Sequence, residues 1–346
     1  MKLAVVLFNL GGPDSPEAVE AFLFNLFNDK AIIGAPQPIR WMLARLISSK
    51  RAPVAAEIYS HLGGKSPLLD LTKEQASALN EKISSHFMEE IEVKTFITMR
   101  YWHPMSAETV KNVKDFNPDH IVLLPLYPQF STTTTESSFN DWDKEAKKQK
   151  LTVKTSKICC YPTNNGFIDA VVDLLEPQIK RCEEFGKPRI LFSAHGLPKK
   201  IIEKGDPYQW QVEQTAQKVV DKLGIQNLDW WVSYQSRVGP LEWIGPNTED
   251  EIIRAGENKV PLIIVPIAFV SEHSETLVEL DIEYRELAEK HGVPAYFRTP
   301  AVATHPDFIN GLKELVINHI SSDHLPKPEE HSRICPNSCT RCICKG

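Results

Sequence analysis

The chain has 346 residues, of which 42% are hydrophobic, 24% charged and 9% aromatic. This composition is typical of a folded globular protein and excludes disorder, collagen and coiled coil. Its 39 basic and 45 acidic residues give a net charge of −6 without a basic run, so we expect no nucleic-acid partner.

Apolar, β-branched segments alternate with amphipathic helical patterns along the body of the chain. The predicted strands are 3–8, 93–100, 120–126, 189–193, 230–234 and 261–268. The helical patterns include 16–27, 106–113, 211–223 and 276–291. Near-continuous apolar strands separated by helices are typical of parallel sheets buried on both faces. We therefore predict a doubly wound α/β fold with two sheets.

The length predicts two domains, and we place their boundary near Cys160, about midway along the chain. The first domain then covers 1–160 and the second 161–320, with the last helix free to pack on the first domain. The polar stretch that begins at Ser321 is predicted to be a connector, so 321–346 forms a connector and a cysteine-rich tail.

The apolar segments of the sequence predict neither a signal peptide nor a membrane-spanning helix. Residues 1–8 are mostly apolar but no small-residue cleavage site follows them, so they are predicted to form a strand and not a signal peptide. The longest apolar run, 260–270, is too short to cross a bilayer. We therefore expect a cytoplasmic protein.

Ligands of open α/β sheets bind beyond the carboxyl ends of the strands. Polar side chains follow four predicted strands, in the segments 9–13, 127–135, 194–198 and 269–276. A nucleotide is not expected there. Gly11-Gly12 lacks the rest of the dinucleotide fingerprint, and Tyr59 stands where a phosphate-binding loop ending at Lys65-Ser66 would need its first glycine.

His195 follows a buried strand, where a lone histidine is more often a hydrogen-bonded scaffold residue than a catalyst. After another strand come Glu272, His273, Glu275 and Glu279. On a helix the three glutamates would share one face, and the repulsion between their carboxylates would destabilise the helix unless solvent or a cation contacts that face. An ordinary solvated helix face explains the same pattern. A histidine facing carboxylates would serve divalent-metal handling or proton abstraction near neutral pH.

Aromatic and basic residues suggest a flat hydrophobic ligand that bears carboxylates, because such a ligand needs apolar walls and a few cationic or hydroxyl donors. Each signal is individually weak, since an arginine is usually a surface cation and a tryptophan more often fills a core. The candidates are Arg51, Tyr59, Ser66, Arg100 and Trp243.

Four of the seven cysteines lie in the last twelve residues, at Cys335, Cys339, Cys342 and Cys344. In a reducing compartment such a cluster is more often a metal site than a set of disulfides. Soft thiolates at this density suit zinc or an iron–sulfur cluster, and the spacing does not choose between them. The alternative is a surface tail whose thiols bind no metal.

The segment Leu191 to Pro198, Leu-Phe-Ser-Ala-His-Gly-Leu-Pro, followed by Gly205-Asp206-Pro207-Tyr208, resembles the signature of the ferrochelatase family. The stretches 7–13, 63–67, 234–246 and 266–283 resemble the same family, in family order over 1–320. The resemblance implies a lyase that inserts Fe²⁺ into protoporphyrin IX and releases two protons, giving protoheme in heme biosynthesis. It also implies two Rossmann-like domains with a porphyrin cleft between them.

The resemblance also assigns roles to single residues. It makes His195 an essential residue that binds metal, accepts a proton, or does both, with Glu275 opposite it. His273 and Glu279 match neighbours on the same helix and extend an acidic path. The remaining matches concern the porphyrin: Arg51, Tyr59 and Ser66 for the propionates, Arg100 for the pocket wall, and Leu10 and Trp243 for the macrocycle.

Two further features follow from the resemblance. The apolar segment from Ile33 to Ile47 matches a lip that touches membrane in some members, so peripheral contact with the inner membrane face is expected. Some members also carry a [2Fe–2S] cluster on one internal cysteine and three near the C-terminus. In this chain Thr132 replaces the internal ligand of the animal enzymes, so the resemblance points to Cys160 together with Cys342, Cys344 and either Cys335 or Cys339.

Two other functions stay open at this point. A chelatase that inserts cobalt or nickel into a related tetrapyrrole would use the same kind of site, and a heme or iron carrier with a redox cluster would need no turnover. The sequence also leaves open which porphyrin is used, protoporphyrin or coproporphyrin, whether the protein forms a homodimer, and what the cluster contributes.

Overall fold

The computed structural model describes residues 1–88, 90–237, 239–320 and 332–344. These residues form two compact units. The predicted connector, 321–331, lies outside the described residues. Within the described part of the chain, no helix is both long enough and apolar enough to cross a membrane.

The first unit comprises residues 1–127, 131–159 and 313–320. Its sheet consists of β1 (Lys2–Asn9), β2 (Glu92–Met99), β3 (His120–Pro125) and β4 (Lys154–Lys157), all parallel and in the order β2-β1-β3-β4. Around it lie α1 (Val19–Phe27), α2 (Gln37–Ser60), α3 (Leu68–His86), α4 (Ser106–Phe116) and α5 (Thr135–Lys148).

The second unit comprises residues 128–130, 160–312 and 332–344. Its sheet has the order β6-β5-β7-β8, again all parallel. The strands are β5 (Arg189–His195), β6 (Asp229–Gln235), β7 (Leu262–Pro266) and β8 (Tyr296–Arg298). The helices are α6 (Asn165–Cys182), α7 (Lys199–Glu203), α8 (Tyr208–Leu223), α9 (Thr248–Asn258), a π-helix (Glu275–Glu283), α10 (Tyr284–Lys290) and α11 (Pro306–Ile320), the last residues of which belong to the first unit.

The predicted α/β class with two parallel sheets is confirmed, and all six predicted strands are present. The central strands could be read from sequence because both of their faces are buried: β1 is apolar from Leu3 to Phe8, with at most 2% exposure. The sequence analysis missed β4 and β8. Both are short edge strands, and a strand covered on one side only carries no continuous apolar run. The proposed domain boundaries and the porphyrin cleft stay predictions.

Apolar side chains anchor the π-helix on the second sheet. Leu280 and Tyr284 pack into a core with Leu191 of β5 and Ile264 of β7. Burying such side chains contributes about 1.5–3 kcal/mol each, so the helix is held firmly on the sheet. Its polar side chains, among them Glu275 and Glu279, lie at the carboxyl ends of β5 and β6.

Helices α6 and α11 approach each other closely at a pair of glycines. A Cβ on Gly166 would lie 2.8 Å from the Cα of Gly311 and would collide with the carbonyl oxygen of Asp307. Backbone cannot move aside as a flexible side chain can, so this crossing requires glycine.

We predict that Gly166→Ala lowers the free energy of unfolding by about 1–3 kcal/mol, the usual cost of overpacking. Gly34→Ala is the matched control, because no atom lies within 4 Å of the Cβ that it would add. Thermal and denaturant unfolding of both variants measures the difference. Equal stability of the two variants would contradict the packing argument.

Candidate active site

His195 is the last residue of β5, and its side chain is 40% exposed. Its Nδ1 atom lies 2.8 Å from Oε2 of Glu275, the first residue of the π-helix. The two predicted catalytic residues are therefore in direct contact. When Nδ1 carries the proton of this hydrogen bond, Nε2 is left free to accept another proton.

Glu279, one turn along the π-helix, is held by four donors. Gln235 Nε2 and the backbone N–H of Ser236 each donate over 2.9 Å, and the Tyr284 hydroxyl donates over 3.0 Å. The fourth is the Ser236 hydroxyl, 2.5 Å from Oε2. A carboxyl group with this many partners has a fixed orientation, so the position of Glu279 in the candidate site is well defined.

Ser236 connects the two glutamates, because its hydroxyl oxygen also lies 3.2 Å from Oε2 of Glu275. A hydroxyl has only one proton to donate, so both contacts are satisfied together when one of the carboxyl groups is protonated. Ser236 has a φ of 61°, in the left-handed region that costs energy for a residue other than glycine. Such strained residues are concentrated at functional sites.

The pKa values of the two carboxyl groups shift in opposite directions. Burial raises the pKa of Glu279, and the charge of Glu275 raises it further, against the hydrogen bonds from Ser236 and Gln235. Burial also acts to raise the pKa of Glu275, but the charge and hydrogen bond of His195, with help from His273 and Ser236, lower it overall. Glu275 is therefore the ionised member of the pair.

Burial acts to lower the pKa of His195, but the charge and hydrogen bond of Glu275, together with the charge of Glu279, raise it above its ordinary value of 6.5. His273 behaves in the opposite way: burial lowers its pKa despite the nearby Glu275. Its Nδ1 lies 3.1 Å from the carbonyl oxygen of Ser271, which fixes the ring. The two histidines thus differ in basicity, and His195 is the stronger base.

The expectation that Glu272, Glu275 and Glu279 line one helix face is wrong. The helix begins at Glu275, and Glu272 instead pairs with Arg298, Oε1 lying 2.9 Å from Nη1. Arg298 also binds Asp281 through two nitrogens, at 2.7 and 2.8 Å. This partly buried arginine joins the segment before the π-helix to the helix itself.

Trp243 lies close to Gly196, the residue that follows His195. A Cβ on Gly196 would be 3.3 Å from the Trp243 ring. Trp243, Ser236, Glu279 and Tyr284 line a cavity of about 340 Å³. The predicted macrocycle contact and the acidic path therefore border the same space within the second unit.

In the first unit, Tyr59 and Leu10 belong to one apolar cluster, together with Trp102. Ser66 lies next to them: a Cβ on Gly12 would be 2.5 Å from Ser66 Oγ and 3.8 Å from the Tyr59 hydroxyl. Three of the residues predicted to contact porphyrin are thus neighbours. They combine an apolar wall with two hydroxyl groups.

The two arginines predicted for this unit differ in their surroundings. Arg100 donates to Asp29 and Ser137, each over 2.8 Å, and Asp141 lies 3.9 Å away. Its guanidinium group is therefore already neutralised by its own unit. Arg51 lies on α2 with its guanidinium 6.0 Å from the Phe27 ring.

The thiols of Cys160 and Cys335 lie together although they are far apart in sequence. Nε2 of Gln211 is 3.4 Å from Cys160 Sγ and 3.1 Å from Cys335 Sγ. The Cys335 thiol donates to Cys342, which raises the pKa of Cys335 and lowers the pKa of Cys342. Cys339 and Cys344 are buried nearby in the tail, with 7% and 4% exposure.

Ser236, Tyr208 and Gln211 received no role in the sequence analysis. Ser236 follows the end of β6, so the rule that ligands bind at the carboxyl ends of strands would have indicated it. Tyr208 stands in a recognised motif, but its contact with the His195 carbonyl, at 3.1 Å, depends on the fold. Gln211 has no sequence signal at all.

The ferrochelatase family model matches residues 2–320 of the chain. The ferrochelatase of Pelagibacter ubique is 52% identical to it, covering 99% of both proteins. The ferrochelatase of a Wolbachia species (subsp. Drosophila simulans) is 52% identical over 92% of this chain and 99% of its own length. That of Rickettsia bellii is 49% identical over 99% of this chain and 95% of its own length.

Among solved structures, SirB from Bacillus subtilis with Fe³⁺ superposes with a TM-score of 0.53 at 13% sequence identity, covering 93% of this chain and 96% of that chain. A sirohydrochlorin chelatase SirB in complex with cobalt, from Bacillus subtilis subspecies spizizenii, gives 0.51 at 12% identity, covering 92% and 94%. At such identity these matches establish the fold alone, which is that of chelatases.

Proposed function

The chain belongs to the ferrochelatase family, and we propose that it catalyses insertion of Fe²⁺ into a porphyrin, with release of two protons, as the lyase step that completes a heme. The observation that carries this proposal is the hydrogen bond between His195 and Glu275 at the carboxyl end of β5. A base beside an ionised carboxylate meets both needs of the reaction, since two pyrrole protons must leave and a cation must enter.

His195 is the proposed proton acceptor. Its Nε2 atom is available, and its side chain is exposed enough for a substrate to reach it. Glu275 keeps the ring oriented through Nδ1 and supplies the negative charge that draws Fe²⁺. Glu279, held by Ser236, Gln235 and Tyr284, continues the acidic path. Its pKa is raised by burial and by the charge of Glu275, and an approaching cation favours its ionised form.

Each unit has its own proposed substrate contacts. In the second unit, Trp243 and His195 face the macrocycle, with His273 supporting the site. In the first unit, the hydroxyl groups of Tyr59 and Ser66 and the cation of Arg51 bind propionates, and Leu10 contacts the ring. Arg100 has a supporting role, because its donors are engaged by Asp29 and Ser137.

A [2Fe–2S] cluster is the proposed resident cofactor, and the thiols fit it. Cys160, Cys335 and Cys342 converge from distant parts of the chain, and the contact between Gln211 and Cys335 favours Cys335 over Cys339 as the ligand that completes the set with Cys344. One zinc ion would need its sulfurs about 3.8 Å apart, given Zn–S bonds of 2.3 Å. Among the described residues no three cysteine sulfurs lie within 4.8 Å of one another.

Peripheral contact with the inner face of a membrane is proposed through α2. Ile39, Trp41, Met42, Leu46 and Val54 are 49–66% exposed on this helix, and Lys50 and Arg51 lie among them. Exposed apolar side chains next to cations are typical of interfacial helices. Trp41→Ser with Leu46→Ser should abolish co-sedimentation with anionic vesicles; unchanged binding would move the contact elsewhere.

Anaerobic incubation of the purified protein with Fe²⁺ and metal-free porphyrin tests the function. Formation of more than one equivalent of heme excludes a carrier, and the preference among Fe²⁺, Co²⁺ and Ni²⁺ separates a ferrochelatase from a related chelatase. Protoporphyrin and coproporphyrin, compared in the same assay, identify the substrate. Failure to exceed one equivalent with any metal would overturn the proposal.

We predict that His195→Ala abolishes turnover in this assay while porphyrin binding and the fold are largely retained. The residue stands at a strand end, and loss of a general base costs roughly 10²-fold or more. Fluorescence quenching of bound porphyrin and the melting temperature are the controls. Retention of more than about a tenth of the wild-type rate, or roughly 1.4 kcal/mol of barrier, would rule out an essential role.

Glu275→Gln should lower turnover strongly with little change in porphyrin affinity, because the amide keeps the shape but loses the charge. It should also shift the pH dependence. The basic form of His195 exists above its raised pKa, so the wild-type rate rises as pH increases through a value above 6.5. Without the Glu275 charge the pKa falls, and the rising limb should move to lower pH. A defect in porphyrin binding alone would reassign Glu275 to the pocket wall.

Cys160→Ser should remove the visible absorption of the purified protein and lower its melting temperature, because a metal site that joins distant segments stabilises the fold. Cys182→Ser is the matched control: Cys182 is equally buried, in α6, and belongs to no thiol cluster among the described residues. Full iron and sulfide content in Cys160→Ser would place all ligands in the tail. Stoichiometric zinc in a colourless wild-type protein would defeat the cluster.

A further inference from the structure

The cysteine-rich tail contacts the turn that precedes α8. The backbone N–H of Arg341 donates to the carbonyl oxygen of Gly205 over 3.0 Å, and the Thr340 hydroxyl donates to that of Lys204 over 3.3 Å. Gly205 has a φ of 94°, and a Cβ there would lie 2.8 Å from the backbone nitrogen of Thr340. The approach of the tail to this turn therefore requires glycine.

The first turn of α8 contacts the thiols at one point and the active site at another. Gln211 donates through Nε2 to the sulfurs of Cys160 and Cys335, and its side-chain oxygen Oε1 accepts from the backbone N–H of Phe130 over 2.7 Å. Because the oxygen is fixed by Phe130, the NH₂ group must face the sulfurs. Tyr208, three residues earlier, donates its hydroxyl to the carbonyl oxygen of His195 over 3.1 Å.

The hydrogen bond from Tyr208 fixes the peptide that joins His195 to Gly196. On the other side of this peptide, the Gly196 N–H donates to the carbonyl oxygen of Gln235 over 2.8 Å. The peptide is thus held at both ends where β5 stops, and the direction of the His195 ring toward Glu275 follows from it. Misplacement of a catalytic group by about 1 Å can cost 10²-fold in rate.

We propose that the turn 204–208 and the first turn of α8 link the cysteine centre to the catalytic base, with Tyr208 as the positioning residue. When the thiols are ligated, the tail is held on Gly205 and α8 is held through Gln211, so the Tyr208 hydroxyl stays on the His195 carbonyl. When the ligand set is lost, that hydroxyl is released and His195 loses its orientation. The inference rests on the proposed function, and it gives the cluster a structural role in turnover.

Tyr208→Phe tests the link, with Tyr234→Phe as the matched control. Tyr234 is also buried and lies in the neighbouring strand β6, but its hydroxyl has no hydrogen-bond partner in the described part of the chain. We expect Tyr208→Phe to retain full iron and sulfide, to lose about tenfold in kcat with KM unchanged, and to shift the rising limb of the pH profile. Tyr234→Phe should leave all of these unchanged.

A double-mutant cycle joins Tyr208→Phe to a change in the tail. Arg341→Pro removes the N–H that binds Gly205 and changes no cysteine, so it applies whether or not the protein contains iron. If the link exists, Arg341→Pro lowers kcat by a similar factor, and the double variant is no slower than the slower single variant, because coupled residues are non-additive. The melting temperature of each variant excludes unfolding as the cause.

Two results would overturn the link: wild-type kcat and pH profile in Tyr208→Phe, or losses that multiply in the double variant. Failure of the proposed function gives a different pattern. A wild-type protein that contains no iron and no sulfide contradicts the proposed cluster. The double-mutant cycle with Arg341→Pro then still tests whether the tail and Tyr208 are coupled. A protein without chelatase turnover contradicts the function, and the orientation of His195 is then read from the pH titration of its imidazole by NMR in the same four variants.

Discussion

The candidate active site depends on the charge balance of two neighbouring carboxyl groups. Glu275 and Glu279 contact the same hydroxyl, that of Ser236, at 3.2 and 2.5 Å. Two carboxylates at such a distance cannot both ionise without a large cost. The contact with His195 lowers the pKa of Glu275, whereas burial and the charge of Glu275 raise that of Glu279. The ionised Glu275 therefore lies beside the histidine, and Glu279 keeps its proton to a higher pH than an ordinary glutamate does.

The fold maintains this arrangement through constraints on both sides. The π-helix is fixed to the sheet by Leu280 and by Tyr284, the first residue of α10, and Arg298 ties it to the preceding segment through Asp281 and Glu272. On the opposite side, Ser236 is held in a left-handed conformation that presents both its N–H and its hydroxyl to Glu279. Repulsion between the carboxyl groups would separate them on a free helix, and these anchors prevent it.

Much of this architecture could be predicted from sequence, for a physical reason. Strands buried on both faces leave continuous apolar runs, and ligand-binding residues follow such strands, so β1, β3, β5 and β7 and the position of His195 were accessible. A π-helix has no distinct apolar pattern, and the sequence analysis therefore grouped Glu272 with Glu275 and Glu279. The structure separates them because Glu272 pairs with Arg298. Arg298 belongs to β8, a short edge strand that the sequence analysis also missed. Contacts such as those of Tyr208 and Gln211 depend on segments distant in sequence and leave no local signal.

Proton release and metal entry make opposite electrostatic demands, and the His195–Glu275–Glu279 group can meet both. A base that accepts a pyrrole proton must be neutral, whereas a site that draws Fe²⁺ must be negative. When His195 is neutral, the ionised Glu275 gives the group its negative charge. In the proposed reaction His195 accepts one pyrrole proton at Nε2 and releases it to solvent, because its side chain is 40% exposed, and then accepts the second pyrrole proton in the same way. Glu275 stays ionised throughout and supplies the negative charge that draws Fe²⁺. The serine that joins the two glutamates keeps their carboxyl groups close together, so that the charge of Glu275 raises the pKa of Glu279.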